Sequence, residues 1–158
     1  MGAQARQSHP VRIVVCDAGP VLHLSEAGAL DLLEKAGDVF IPIAVDREVA
    51  RHLVDWPARR PGWLRVQSSP DPSAGQLVQW AAQIDIGPGE MEAIVLAQSL
   101  AADWLLTDDA AARVVATLLA LEVHGSLGVV LWAAAQRHTL IVTRPQQCSS
   151  GWPRRHSG

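Results

Sequence analysis

Residues 11–16 (VRIVVC) are a short β-branched run with little alternation, the pattern of a strand buried on both faces of a parallel sheet. The Gly19-Pro20 pair behind Asp17 stops it, and Pro20 is placed to open a helix as its first residue. Val21–Ala27 and Ala29–Lys35 then read as two helical segments broken at Gly28, with leucines supplying their apolar faces. Gly37 ends the second segment, Val39–Ile41 is a strand stopped by Pro42, and Ile43–Val54 is a helix with Val45, Val49 and Leu53 at helical spacing. Residues 55–73 break the pattern, with Leu64–Gln67 a candidate short strand, and Ala74–Gln83 is a helix. Residues 87–109 follow as a helix opened by Gly87-Pro88 and running to Ala102, then a strand, Trp104–Leu106. Ala110–Leu121 is a helix, Leu121–His124 a strand, and Leu127–Arg137 a helix capped by Ser126. Strands alternating with helices predict an α/β fold around a mostly parallel sheet of four or five strands. Residues 1–10 read as a flexible lead-in, 11–141 as a single domain, and 142–158 as a disordered tail without hydrophobic periodicity.

In such a layer the helices descend from one rim of the sheet and the strands climb back to it. Asp17 ends the first strand, Glu90 and Glu92 open the helix at residue 88, and Asp108 and Asp109 follow the strand at 104–106. Glu48 lies about a turn and a half below the rim on a side chain long enough to reach it, and His52, one turn on, is a candidate to orient it. Carboxylates gathered on one rim need a cation or raise one another's pKa. Without a companion Cys/His set, the matching ion is hard and oxygen-loving, Mg²⁺ or Mn²⁺. Such ions activate water and stabilise the leaving oxygen in phosphodiester cleavage. Plainer readings compete: Asp17 as a helix N-cap, Glu48 as a solvated helix residue, and Glu90 and Glu92 as acids favoured by the helix dipole. Two residues apart on a helix, Glu90 and Glu92 point about 200° apart, so one is a ligand and the other a supporter, and Asp108 and Asp109 divide in the same way.

The 158 residues suffice for one substantial core, and 49% hydrophobic with 18% charged residues places the chain among globular proteins. A net charge of −3 leaves no basic excess to grip phosphates, so a nucleic-acid substrate requires metal and a local basic patch. Arg113, four residues after Asp109, is a candidate to pair with it or to meet a phosphate, and the Ser126 hydroxyl falls on the same rim. Arg59 and Arg60, between Trp56 and Trp63, either neutralise and stack a nucleotide chain or stay exposed while the tryptophans plug the core edge. Cys16 and Cys148 lack metal-ligand spacing, and Cys16 reads as a reduced core residue. No apolar run approaches membrane-spanning length and residues 1–10 lack an apolar core, so a soluble cytoplasmic protein is expected.

Five stretches in order, DAGPVLHLSEAGALDLLE (17–34), IPIAVDREV (41–49), GPGEMEAIVLA (87–97), LLTDDAAAR (105–113) and GSLGVVLWAAAQR (125–137), resemble the PIN domain family, most closely its DUF3368 branch, related to the VapC toxin nucleases. The resemblance implies a three-layer α/β/α fold and an Mg²⁺- or Mn²⁺-dependent ribonuclease, often the toxin of a type II toxin–antitoxin pair. It also implies an RNA substrate, a small antitoxin protein as partner, a homodimer, and no membrane. By position it makes Asp17, Glu48, Glu90, Glu92 and Asp109 the catalytic set and Asp17, Glu92, Asp109 and the adjoining Asp108 the metal set. From residue 142 the chain departs from the family pattern. The low basic charge and this departure keep a second reading open, a catalytically weak module that binds RNA or a protein. A phosphatase working through an aspartyl intermediate is disfavoured, because Gly19 stands where an Asp-x-Asp motif needs its second acid.

Overall fold

A computed structural model describes residues 12–71 and 76–142. Five strands, β1 (Ile13–Cys16), β2 (Asp38–Pro42), β3 (Leu64–Gln67), β4 (Trp104–Leu106) and β5 (Val123–His124), form one sheet in the order β3-β2-β1-β4-β5. Every pairing is parallel, with Val15 opposite Phe40 on one side and Leu105 on the other. The expected mostly parallel sheet is therefore a five-stranded, wholly parallel one. The helices are α1 (Ala18–Glu26), α2 (Asp31–Ala36), α3 (Ile43–His52), α4 (Trp56–Arg59), α5 (Gln76–Ile84), α6 (Pro88–Ser99), α7 (Ala110–Leu118) and α8 (Ser126–Val142).

The period of two along each strand builds the layers. Val14 and Cys16 of β1, Val39 and Ile41 of β2, and Trp104 and Leu106 of β4 face one core, which Leu24, Leu33, Val45, Val49, Trp56 and Val129 complete. Val15 and Leu105 face the other, packed on Leu77, Ile94, Leu96 and Val115. Thus α1–α4 and α8 cover one face and α5–α7 the other, a three-layer α/β/α arrangement. Continuous apolar strands make sense here, because both faces of β1 and β4 are dry.

Several boundaries differ from the sequence reading for local reasons. Helix α1 begins at Ala18, so Pro20 occupies its third position and Asp17 is the N-cap. The α1 break falls where expected, with Gly28 at φ +65°, a left-handed conformation that suits glycine. Strand β1 starts at Ile13, tied at its foot by the Asp103 carboxylate, which accepts from the Ile13 N–H at 2.7 Å. Helix α3 stops at His52, α6 at Ser99 and α7 at Leu118, each short of its periodic run, and Ala101 and Ala120 take left-handed conformations just beyond the last two. Four residues, 56–59, that read as irregular form α4. Strand β5 is only Val123–His124, and α8 begins at Ser126 and continues to Val142, beyond the expected end at Arg137. The expected lead-in, 1–10, and all of the expected tail but Val142 lie outside the described residues. Among the described residues, no helix is long and apolar enough to cross a membrane.

Candidate active site on the carboxyl rim

Asp17 leaves the end of β1 and is 5% exposed, one of two buried polar residues in the described core. Its backbone N–H continues the ladder to Leu106 O at 2.9 Å. Its Oδ1 accepts from Ala18 N at 2.8 Å, and its Oδ2 accepts from the Thr107 hydroxyl at 3.0 Å. The capping reading and the functional reading of Asp17 are therefore compatible, since one oxygen serves the helix. Thr107, 1% exposed, is the other buried polar residue, and its Oγ1 also accepts from Asp109 N at 3.2 Å. One hydroxyl thus ties the acid of β1 to the acid that follows β4.

Asp109 is exposed at the start of α7 and is its N-cap, accepting from Ala112 N at 2.8 Å. Glu90 is the third residue of α6, whose N-cap is Gly87. Its carboxylate folds back over Gly87, where a Cβ would collide with Oε2. This is the return half of a capping box. Glu48, half-buried on α3, approaches from the side, with Oε2 3.0 Å from where a Cβ on Gly89 would stand. Only a glycine at 89 lets α3 and α6 approach this closely without moving the Glu48 carboxylate.

The electrostatics show that these four acids feel one another. Burial raises Asp17 from 3.8 to about 6, opposed by the Ala18 and Thr107 hydrogen bonds and reinforced by Glu90 and Glu48. Glu90 is also raised, by burial first and then by Asp109 and Glu48, against the pull of the Gly87 N–H. Carboxylates from β1, α3, α6 and the β4–α7 turn therefore share one field.

The other sequence candidates are placed differently. Glu92 turns to the start of α3, where Oε2 accepts from Ala44 N at 3.4 Å, serving a helix whose N-cap, Pro42, has no capping side chain. Glu90 thus shares the field of Asp17, Glu48 and Asp109, while Glu92 lies at the start of α3. Asp108 faces away from the cluster: Oδ1 accepts from Ser126 N at 2.7 Å, and Oδ2 accepts from the Ser126 hydroxyl and meets His23 Nδ1 at 2.6 Å. Burial tends to raise Asp108, but the Ser126 and His23 hydrogen bonds prevail and hold it below its ordinary value. Ser126 is the first residue of α8 and not the residue before it, and its hydroxyl and N–H both donate to Asp108. Arg113 turns its guanidinium to the Thr107 carbonyl at 3.3 Å, and not to Asp109.

His52 does not orient the Glu48 carboxylate, for its Nδ1 meets the Glu48 backbone carbonyl at 2.9 Å. Trp56 is 3% exposed and donates through Nε1 to Asp46 at 2.8 Å, and Arg60 pairs with the same carboxylate. Asp46 is two residues from Glu48, about 200° around α3, so Arg60 is held on another face. Arg59 borders a cavity of about 530 Å³ with Ser25, Glu26 and His52, at the foot of α1 and α3. The core-edge reading of this tryptophan and its arginines prevails over nucleotide stacking. The acids lie on an open rim away from that cavity.

Two residues in this region carried no signal in the sequence reading, Thr107 and His23. A threonine after three apolar strand residues reads as β-propensity, and a histidine in a leucine-rich helix reads as filler. The only sequence cue for Thr107 is its place between a buried strand and two acids.

Oxygen donors of this kind suit a hard divalent cation, whose charge would offset the burial and the mutual repulsion that raise Asp17 and Glu90. Among the described residues, no three His, Cys, Asp or Glu side chains already converge closely enough to hold a metal. The donor chemistry fits; a ready-made cage is not present, and side-chain rotation has to complete it.

Among solved structures, the crystal structure of PAE2754 from Pyrobaculum aerophilum is similar, with a TM-score of 0.53 at 15% identity, covering 80% of this chain and 97% of that one. At that identity the likeness speaks for the fold. No curated protein matches the chain. The DUF3368 family profile, described as a PIN domain, matches residues 13–145, so the chain belongs to the PIN domain family, whose members are generally nuclease-like.

Proposed function

We propose that the protein is an Mg²⁺- or Mn²⁺-dependent endoribonuclease in which Asp17, Glu48, Glu90 and Asp109 form the working site. The observation that carries this reading is the gathering of four carboxylates from four elements on one rim, where burial raises Asp17 to about 6 and repulsion from Glu90 and Glu48 adds to it. A protein keeps such repulsion when something cationic uses it. Asp17, Asp109 and Glu90 are the residues to hold the ion, and Glu92 and Asp108 support them. When bound, the ion supplies Lewis-acid polarisation of the phosphoryl oxygen and makes water a better nucleophile. Glu48 holds the attacking water and accepts its proton as the new P–O bond forms and the old one breaks, and the leaving oxygen takes a proton from solvent. Thr107 keeps Asp17 in its rotamer, and the open rim leaves room for a polymer.

Calorimetry with Mn²⁺ and cleavage of a mixed RNA pool test this proposal. Asp17→Asn should lose at least about 10²-fold in rate, in keeping with the loss of one essential group, while retaining the fold by circular dichroism. The biological extension is a toxin held by a small antitoxin protein: expression should arrest growth, and co-expression of a small adjacently encoded protein should relieve it. A homodimer is the accompanying expectation, read directly by light scattering. A catalytically weak binding module is the second reading, favoured by the absence of a ready-made three-ligand cage among the described residues. RNA binding with neither Mn²⁺ uptake nor cleavage would decide for it.

A further inference from the structure

Resting on that reading, we infer that the substrate's sugar–phosphate backbone passes over the β4–β5 side of the rim, where His23 of α1 and Arg113 of α7 contact it from either side of Asp108. With 13 Lys and Arg against 16 Asp and Glu, the chain has no general attraction for RNA, so any grip has to be local. The four acids repel phosphates directly above them, so the contacts belong beside the cluster.

Beside it, one carboxylate organises two potential phosphate partners. His23 Nδ1 and Asp108 Oδ2 stand 2.6 Å apart, and the Ser126 N–H and hydroxyl hold the same carboxylate in place. The Nε2 side of the ring remains for a ligand, and the His23 side chain is 58% exposed. Arg113 is exposed and uses Nη2 on the Thr107 carbonyl, leaving most of its donors free of that bond. The two are tied to one anchor by Gly125: a Cβ there would run into Arg113 Nη2 and stand 2.8 Å from Asp108 Oδ1. Any larger residue at 125 would push the guanidinium off the rim. Asp108 adjoins Asp109, so this pair lies next to the proposed cleavage site.

Several other arginines among the described residues are engaged elsewhere. Arg60 is paired with Asp46, Arg65 lies 3.8 Å from Asp38, and Arg12 stacks 3.8 Å from the Trp104 ring centroid and donates to Ala36 O. Arg59 borders the cavity at the opposite end.

The test is fluorescence polarisation in EDTA, with a labelled mixed-sequence twelve-nucleotide RNA as probe, so that binding is read without cleavage. His23→Ala and Arg113→Ala should each weaken binding roughly 3–10-fold, and Arg113→Ala should flatten the slope of log K against log salt by about 0.7. His23→Asn separates contact from anchoring, because the amide keeps a donor near the Nδ1 position and removes Nε2. It should lose RNA affinity as His23→Ala does while its Mn²⁺ affinity and melting temperature stay at wild-type values. Wild-type RNA affinity in His23→Asn would overturn the contact role. So would a loss confined to Arg59→Ala or to Arg47→Ala on α3, which would place the path on another face. If the wild type binds no RNA in EDTA, this path is overturned, since its two contacts need no metal; if it also cleaves none with Mn²⁺, the ribonuclease reading fails separately.

Discussion

Asp17 illustrates how one residue carries capping, repulsion and candidate catalysis together. Its position was legible, because an acid between a buried apolar run and Gly-Pro falls at the end of a parallel strand. Its partner Thr107 was not, because nothing in the letter Thr distinguishes a bridging hydroxyl from a strand former. Asp17 also sets a pH dependence. Its native pKa of about 6 lies above the ordinary 3.8, so between those values the native state binds the extra proton. Stability therefore falls as pH rises from about 4 to about 6, by at most about 3 kcal/mol for this 5%-exposed group. Glu90, raised as well, acts in the same direction. Asp108, lowered, acts oppositely, and its contribution is lost only as the pH falls below about 4. In a chelator, Asp17→Asn should therefore melt higher than wild type at pH 7, with the gain gone near pH 4. Equal melting temperatures at pH 7 would mean that ionising Asp17 carries no net cost in the fold.

At the scale of elements, the sequence showed which helices and strands exist more clearly than where they stop. Periodicity names the core face of α3 or α7, but their ends depend on contacts distant in sequence, such as the Asp103 carboxylate on the foot of β1. The same limit hid the division of labour between Glu90 and Glu92. Both open α6, and only the packing of α6 against α3 shows that Glu92 reaches Ala44 N while Glu90 folds back over Gly87. Charge-removing variants should separate them. Glu92→Ala should cost about 0.5–1 kcal/mol of stability, as loss of a helix cap does, with Mn²⁺ affinity reduced less than in Glu90→Ala. The reverse order by calorimetry would return Glu92 to the ligand position. The α3–α6 contact makes a second prediction. Gly89→Ala gains helix propensity, worth at most about 1 kcal/mol, but sets its Cβ 3.0 Å from the present position of Glu48 Oε2. Melting should change by no more than a few degrees while turnover falls about tenfold or more, as Glu48 is pushed off its water. Unchanged turnover would remove Glu48 from the proton-accepting role.

For the whole molecule, the parallel sheet explains why the rim can concentrate so much acid. Every strand ends on the same side, so the turns after β1 and β4 and the starts of α3 and α6 gather there however far apart they lie in sequence. The two cores beneath are apolar and have no use for these groups, and the described buried side-chain polar atoms all have partners. The cost of burying and crowding these acids is local to the rim, and a cation should relieve it. At pH 7, Mn²⁺ at a hundredfold excess over its dissociation constant should add about 2.7 kcal/mol, a rise in melting temperature of roughly 5–10 °C for a domain of this size. The rise should shrink toward pH 5, as protons compete for Asp17 and Glu90, and largely vanish in Asp17→Asn. Differential scanning calorimetry at both pH values reads all three. A rise of equal size in wild type and Asp17→Asn would put the ion elsewhere on the surface, and the rim acids would then need another explanation.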